Sequence, residues 1–370
     1  MVDKVALGTG ARGMDFAHLS RLLLDKGYVV YGMSRRTSAP NFWRLETLGI
    51  MDKVRHVDGD LTDQESLYRI MTKIKQDHPG SIVEIYNLGA NSFVGNSWSQ
   101  PCVHLNINTV GACNVMTAAL RVFGVDRCKI YMAGSSEQFG QVLETPQTES
   151  TPFNPRSPYG VSKAAMHYLA KNFRDSYGMF VCVGILFNHT GPLRGDEFVE
   201  QKIIRSLVER FMLFAPFELG NLEAKRDYGH SEDYMNAAYL MLQHSIPNDY
   251  VVATGETHTI ESVILKAVDA MPHMNSAFLF FTDRGTDSWK LWDKSVGYYS
   301  NLVAKCNKEF YRPAEVDLLI GDPQNIKNIL GWEPKYTFDD IIKEMVTSAI
   351  KRHENGEHLQ YKKIEMEILK

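Results

Sequence analysis

Val5-Ala6-Leu7-Gly8-Thr9-Gly10-Ala11-Arg12-Gly13 stands almost at the start of the chain, and its reading decides the fold. Val5 to Leu7 has the length and composition of a short buried strand. Beyond the glycines, Ala17, Leu19, Leu22 and Leu23 recur at helical spacing between Asp15 and Lys26, and Gly27 ends the helix. Tyr28 to Met33 is the next apolar strand. Strand, glycine turn, helix and strand in this order place free N–H groups and a helix dipole where a pyrophosphate can sit. The unit therefore predicts a dinucleotide site, with Gly10 and Gly13 in the turn.

The second strand ends in Ser34-Arg35-Arg36. An acidic residue there would hold the ribose hydroxyls of NAD, whereas two arginines suit the 2′-phosphate of NADP. A solvated basic pair is the alternative. The α/β rhythm then continues. His56 to Gly59 leads into Asp60-Leu61-Thr62, a candidate adenine contact. Ile82 to Leu88 is an apolar strand followed by Gly89-Ala90-Asn91-Ser92, and Leu88 and Ser92 join the candidate cofactor residues. A helix is expected from Asn108 to Phe123 and a strand from Lys129 to Ala133. Strands alternating with helices predict a doubly wound parallel sheet of the Rossmann type, with ligands at the carboxyl ends of its strands.

Past one of those ends lie Ser135 and Glu137, and further on Asn154-Pro155-Arg156-Ser157-Pro158-Tyr159-Gly160-Val161-Ser162-Lys163. Tyr159 and Lys163 are four apart, so a helix stacks them on one face. A lysine ammonium beside a phenol favours the phenolate, which can take a proton from a sugar hydroxyl while hydride leaves the same carbon. Of the 17 tyrosines only Tyr159 has lysine at that spacing, which separates it from an ordinary exposed helix pair.

Composition narrows the function. The 370 residues are 44% hydrophobic and 23% charged, enough for a large core and one or two joined domains. A net charge of -4 gives no basic field for nucleic acid. Five scattered cysteines without Cys-x-x-Cys spacing suit reduced thiols in the cytoplasm and no metal site. No apolar run is long enough for a membrane span. The first strand begins at Val5, so no secretory leader is expected.

With these motifs on the page, the chain resembles the extended short-chain dehydrogenase/reductase family, and within it the GDP-mannose 4,6-dehydratases. The resemblance runs over nearly the whole length. Its specific pieces are Asn154–Lys163, Leu186-Phe187-Asn188-His189, Leu219–Tyr234, Val251–His258 and Phe310–Asp317. It implies bound NADP, a GDP-sugar substrate and a homotetramer or homodimer. It also implies roles. Tyr159 takes the C4 hydroxyl proton, Ser135 hydrogen-bonds the C4 oxygen, Lys163 tunes Tyr159, and Glu137 removes the C5 proton and helps expel the C6 hydroxyl. His189 joins the cofactor site, and Asn188, Lys202, Arg226, Arg312 and Glu315 hold the GDP moiety. The NADP domain is expected over 1–188, 227–256 and 316–327. A smaller, discontinuous C-terminal substrate domain takes 189–226, 257–315 and 328–370. Asp322 to Trp332 and the helix Asp339 to Arg352 read as a closing element of the substrate domain.

The chain departs from the family pattern in places. The register Gly10, Gly13 continues to Phe16, where a third glycine lets helix and strand approach. A ring there is expected to point away or push the helix out, displacing the turn and weakening cofactor binding. Ser135 replaces a threonine, and Gln201 stands where arginine is common. Asn188-His189-Thr190-Gly191-Pro192 looks more like the related GDP-4-keto-6-deoxymannose reductase. Rival readings are thus that reductase, an epimerase, a GDP-heptose dehydratase, or a catalytically silent NADP-binding homologue.

Overall fold

Val5–Thr9 lies inside a seven-stranded sheet in the computed structural model of the chain, which describes residues 3–213, 217–271, 280–283, 290–293, 301–307, 314, 316 and 318–356. The strands are β1 (Val5–Thr9), β2 (Val29–Ser34), β3 (Arg55–Asp58), β4 (Val83–Asn87), β5 (Cys128–Ala133), β6 (Phe180–Leu186) and β7 (Asp249–Val252). They run in the order β7-β6-β5-β4-β1-β2-β3, and every pairing is parallel. This is the Rossmann-type sheet the sequence predicts. The order reverses at β1 and β4, and the crevice opens there.

Alternation along the strands sorts the two faces. Val5 and Leu7 join a core with Ile85, Ile130 and Val183. Residues of α2 (Gln64–Asp77), α3 (Gly111–Phe123) and α4 (Pro158–Tyr177) complete that core. Ala6 and Gly8 face the other way, toward α1 (Met14–Asp25). There the expectation for Phe16 fails. Its ring does not point away: it is 1% exposed and lies over two strand glycines. A Cβ on Gly8 would meet it at 2.4 Å and one on Gly32 at 2.8 Å. Gly8 and Gly32 are register partners on β1 and β2, so together they make a slot as wide as a ring. The close approach is kept, with the glycines on the sheet and the bulk on the helix. Burying that ring stabilises by roughly 1.5–3 kcal/mol. The turn before α1 is closed by the Gly13 N–H donating to Gly10 O at 2.8 Å.

The helix α1 packs against α5 (Ser231–Gln243), and their contact holds two histidines. The His18 and His230 rings meet edge to face, 5.5 Å apart. His230 caps α5 by accepting the Glu232 N–H at its Nδ1, 3.1 Å away. Arg21 pairs with Glu232 across the same contact. Burial pushes the His18 imidazole down to about 3, with His230, Arg21 and His189 lowering it further and Asp15 opposing. A folded pKa below the unfolded one means that the native state binds fewer protons. Stability is therefore complete above the unfolded value of 6.5 and is lost as pH falls from there toward 3. By pH 5 the loss amounts to about 2 kcal/mol. His18→Phe removes the proton uptake, so its melting temperature should fall less between pH 7 and pH 5 than the parent's. Equal falls would remove His18 from the acid response.

Two compact units divide the chain. The sheet belongs to the first, made of Met1–His189, Asp227–Glu256 and Leu318–Lys335. The second comprises Thr190–Arg226, Thr257–Asp317 and Tyr336–Lys370. In it the helices Val199–Leu213, Ile260–Asp269 and Phe338–Glu354 pack on one another. A four-stranded sheet orders its strands as Phe280–Asp283, Lys290–Asp293, Asn301–Cys306 and Phe217–Leu219. Asp322 to Trp332 does not close this unit, contrary to the sequence reading. The helix Gln324–Leu330 packs on β7, and Trp332 Nε1 donates to Asp233 O at 2.9 Å, both within the first unit.

Candidate active site

The cofactor turn is shaped by one glycine above all. Gly10 has φ +74°, and a Cβ on it would lie 2.9 Å from Gly89 Cα. The turn after β1 and the turn after β4 thus touch backbone to backbone, leaving a cradle at the N-terminus of α1 that a side chain would fill. Thr9 Oγ1 bridges them, accepting the Gly89 N–H at 2.8 Å and donating to Asn87 Oδ1 at 2.8 Å. A pyrophosphate fits such a cradle, because the positive end of the helix dipole lies at it.

Arg35 and Arg36 follow β2 on the exposed edge of this cradle. A third cation, read in the sequence only as a turn residue, joins them. Arg12 Nη2 bonds the Arg35 carbonyl and lies 3.5 Å from Ser34 Oγ. Its Nε is buried without a hydrogen-bond partner. Arg44 Nη1 anchors the Arg12 carbonyl at 2.7 Å, and the Arg12 guanidinium stands 5.6 Å from the Phe42 ring centre. The available signal was a cation directly before Gly13, within the turn itself. Asp60 Oδ1 accepts from Thr62 N and Thr62 Oγ1 at 2.9 and 2.8 Å, so its carboxylate organises its own turn. Leu61 is buried between Gly89 and Gly111. Leu88 and Ser92 sit in the segment after β4, Ser92 exposed. That segment is tied down by Asn108, which receives the Asn91 N–H at 2.9 Å and donates to Asn91 O at 3.1 Å. Asn108 also donates to Ser162 Oγ on α4 at 3.0 Å. It can do so because Leu105–Val110 is wound as a π-helix, inside what the periodicity alone reads as α-helix.

The catalytic candidates come from two elements. Ser135 and Glu137 lie on a 3₁₀ turn, Ser136–Gln138, directly after β5, where Ser135 Oγ accepts the Glu137 N–H at 3.3 Å. Tyr159 and Lys163 lie on α4, whose start is set by Ser157 capping Gly160 N at 3.0 Å and by Pro158 in the first turn. A Cβ on Gly160 would meet Glu137 O at 2.5 Å, so the residue after Tyr159 presses on the Glu137 backbone. The tyrosine and the carboxylate thereby sit on touching elements. Lys163 Nζ donates to Ala133 O at 2.7 Å and lies 5.8 Å from the Tyr159 ring centre. Burial pushes the Lys163 ammonium down to about 8, with Asp15 opposing. Ser135, Tyr159 and Lys163 are buried and Glu137 is half-buried.

His189 lies beside the N-terminus of α1. Its Nδ1 faces Phe187 O at 3.0 Å, and its Nε2 faces both Asp15 oxygens at 3.1 Å. Asp15 is in the first turn of α1 and also accepts from Ser231 Oγ at 2.7 Å. His189 is thus joined to the first turn of α1 through Asp15. Asn188 precedes it, half-buried. In the second unit, Lys202 Nζ donates to Glu218 O at 3.0 Å and its ammonium is lowered first by burial and then by Arg205. Arg226 is buried, with Nη1 donating to Lys225 O at 3.0 Å. Arg312 and Glu315 lie outside the described residues. Among the described residues, no group of three or more His, Cys, Asp or Glu side chains could hold a metal ion, and no helix is long and apolar enough to cross a membrane.

Comparison with known proteins places this geometry among relatives. Residues 7–345 match the family model described as GDP-mannose 4,6 dehydratase. The chain is 37% identical over 364 residues to a GDP-mannose 4,6 dehydratase of Homo sapiens, covering 94% of this chain and 91% of that one. It is 38% identical over 366 residues to a GDP-mannose 4,6-dehydratase of Vibrio cholerae, covering 95% of each. Among solved structures, a dTDP-glucose 4,6-dehydratase from Streptomyces venezuelae with NAD bound superposes with a TM-score of 0.75 at 21% identity, over 95% of this chain and 97% of that one. A Pseudomonas aeruginosa RMD complexed with NADPH gives 0.69 at 20% identity, over 94% and 99%. At such identities the two structures speak for the fold.

Proposed function

The chain belongs to the GDP-mannose 4,6-dehydratase family, and from that membership we propose that it removes water from a GDP-hexose, GDP-mannose first, to leave a 4-keto-6-deoxy sugar. The observation that carries the reading is the pressing of Gly160 on the Glu137 backbone, which seats a carboxylate and the Tyr159–Lys163 pair on adjoining elements. A plain reductase needs only the second; loss of water from C6 needs a base for the C5 proton as well.

The cofactor is NADP. Arg12, Arg35 and Arg36 favour it, gathered beyond β2 where a carboxylate would serve NAD. When bound, the nicotinamide would supply a reversible hydride acceptor for the sugar, so the reaction would need no net oxidant. The rest falls to the chain. Tyr159 takes the C4 hydroxyl proton, and Ser135 hydrogen-bonds the oxygen as it becomes a carbonyl. The Lys163 ammonium, held on Ala133 O, favours the phenolate and the nicotinamide ribose. The C4 carbonyl acidifies C5–H; Glu137 removes that proton and delivers it to the departing C6 hydroxyl as water, and the proton that Tyr159 took from the C4 hydroxyl is the one returned to C5 at the end.

The second unit is the substrate domain, where Lys202, Arg226, Arg312 and Glu315, together with Asn188, hold the GDP moiety. Assembly is a homotetramer or homodimer. Exposed Val103, Leu105 and Val110 beside Val161 and Tyr168 of α4 supply apolar surface for it. Five scattered cysteines without Cys-x-x-Cys spacing suit the cytoplasm.

Incubating purified protein with GDP-mannose and no added reductant tests the reading. A 4-keto product should accumulate, and NADP should be the nucleotide released on denaturation and identified by mass. Consumption of added NADPH with a 4-keto sugar, and no product from GDP-mannose, would make the protein a reductase.

A further inference from the structure

His167 lies one helical turn beyond Lys163 and two beyond Tyr159 on α4, and it is 6% exposed. Its surroundings fix which nitrogen carries the proton. Nε2 faces Asp249 Oδ2 at 3.4 Å. Asp249 opens β7 and is gripped by both terminal nitrogens of Arg174, each at 2.8 Å, and by the Val183 N–H at 3.2 Å. Burial pushes the Asp249 carboxyl up, but hydrogen bonds from Arg174 and His167 more than offset it and hold it below the usual carboxylate range. Asp249 is thus an anion that can only accept, so Nε2 of His167 donates. Nδ1 is then free to accept, and it faces Gln138 Nε2 at 3.4 Å. The Phe153 ring packs edge-on against the imidazole at 4.9 Å and fixes its plane.

Gln138 is the residue after Glu137 in the Ser136–Gln138 turn, and its side chain is fully buried. The clamp of Asp249 and Arg174 binds α4 to the sheet, and His167 extends it to the turn that carries the carboxylate. We propose that His167, through Gln138, is a positioning residue that aims Glu137 at the C5 proton. The inference rests on the dehydratase reading. It gives the chain of contacts Gln138–His167–Asp249–Arg174 a task in one chemical step, beyond holding the fold.

That step provides the test. His167→Phe keeps a ring against Phe153 and loses both polar contacts; Gln138→Leu cuts the same link from the other side. A misaimed base should lower kcat about tenfold, with KM for GDP-mannose and NADP affinity nearly unchanged, since a small misplacement acts on the transition state alone. With GDP-mannose deuterated at C5, the isotope effect on kcat should rise above the parent's in both variants. With deuterium at C4 it should not. A purely structural role would slow both steps together, or lower the melting temperature while leaving the isotope effects as they were. Unchanged C5 effects in both variants, with normal parent turnover, would overturn the role of His167 alone. No 4-keto product from the parent protein would overturn the dehydratase reading and this inference with it.

Discussion

Glu137→Gln should cut the yield of 4-keto product by about a thousandfold or more while leaving NADP binding intact, the range expected when a general base is removed. The substitution keeps the shape of the side chain and the backbone N–H that Ser135 Oγ receives at 3.3 Å. The turn should therefore stay in place. What disappears is the only change the mechanism asks of this residue, which is to take a proton from C5 and hand one to the C6 oxygen. Nothing adjacent can substitute. Gln138 has no basic group and is buried against His167. Ser135 lacks the basicity at neutral pH, and Tyr159 is already committed to the C4 oxygen. NADP titration by fluorescence and product formation measured side by side separate the two halves of the claim. Turnover at the parent rate would take Glu137 out of the reaction, and a lost cofactor affinity would show that the turn itself had moved.

Much of this site can be read from residue order, because its decisive features are local. A strand, a glycine turn, a helix and a second strand announce a pyrophosphate cradle within the first 34 residues, and β1, α1 and β2 appear there within one or two residues of expectation. Tyr159 and Lys163 need only a helix, and Ser157-Pro158 starts one. What the sequence hides depends on partners distant along the chain. Phe16 looks like a defect in a glycine motif until register pairs Gly8 with Gly32 beneath it. Arg12 looks like turn filler until the chain returns through Ser34 and Arg35. His189 shows nothing in sequence of its bond to Asp15, 174 positions away. Asp322 to Trp332 is polar and late in the chain, yet packing on β7 and the bond to Asp233 put it with the nucleotide sheet. In each case local pattern gave the residue type, and a long-range contact chose its use.

The same contrast makes Gly140 the residue whose replacement should damage the fold most for its size. Between Glu137 and Tyr159 the chain leaves the sheet and must return, and the return is closed at one place. Gln141 N donates to Asn154 O at 3.0 Å, Asn154 N to Phe139 O at 3.2 Å, and Asn154 Nδ2 to Gln141 O at 3.1 Å. Gly140 lies within that closure at φ +56°, where a Cβ would stand 2.0 Å from Asn154 O and 2.7 Å from Pro155 Cα. Alanine would meet two costs. The left-handed conformation is worth about 1 kcal/mol against it. The clash is with backbone, so the two strands of the closure must part and give up hydrogen bonds of about 1 kcal/mol each. Gly140→Ala should therefore lose roughly 3 kcal/mol or more in stability. Parting the closure by an ångström should also lower kcat about a hundredfold, since it moves Glu137 relative to Tyr159. Gly178→Ala is the control. Gly178 is left-handed, at φ +68° and ψ 21°, with no atom within 4 Å of its would-be Cβ, so it carries the conformational cost without the clash. Melting temperature and kcat of the two variants, measured together, isolate the contact with Asn154. If Gly140→Ala behaves as Gly178→Ala does, the closure is not what keeps the carboxylate and the tyrosine in reach of one sugar.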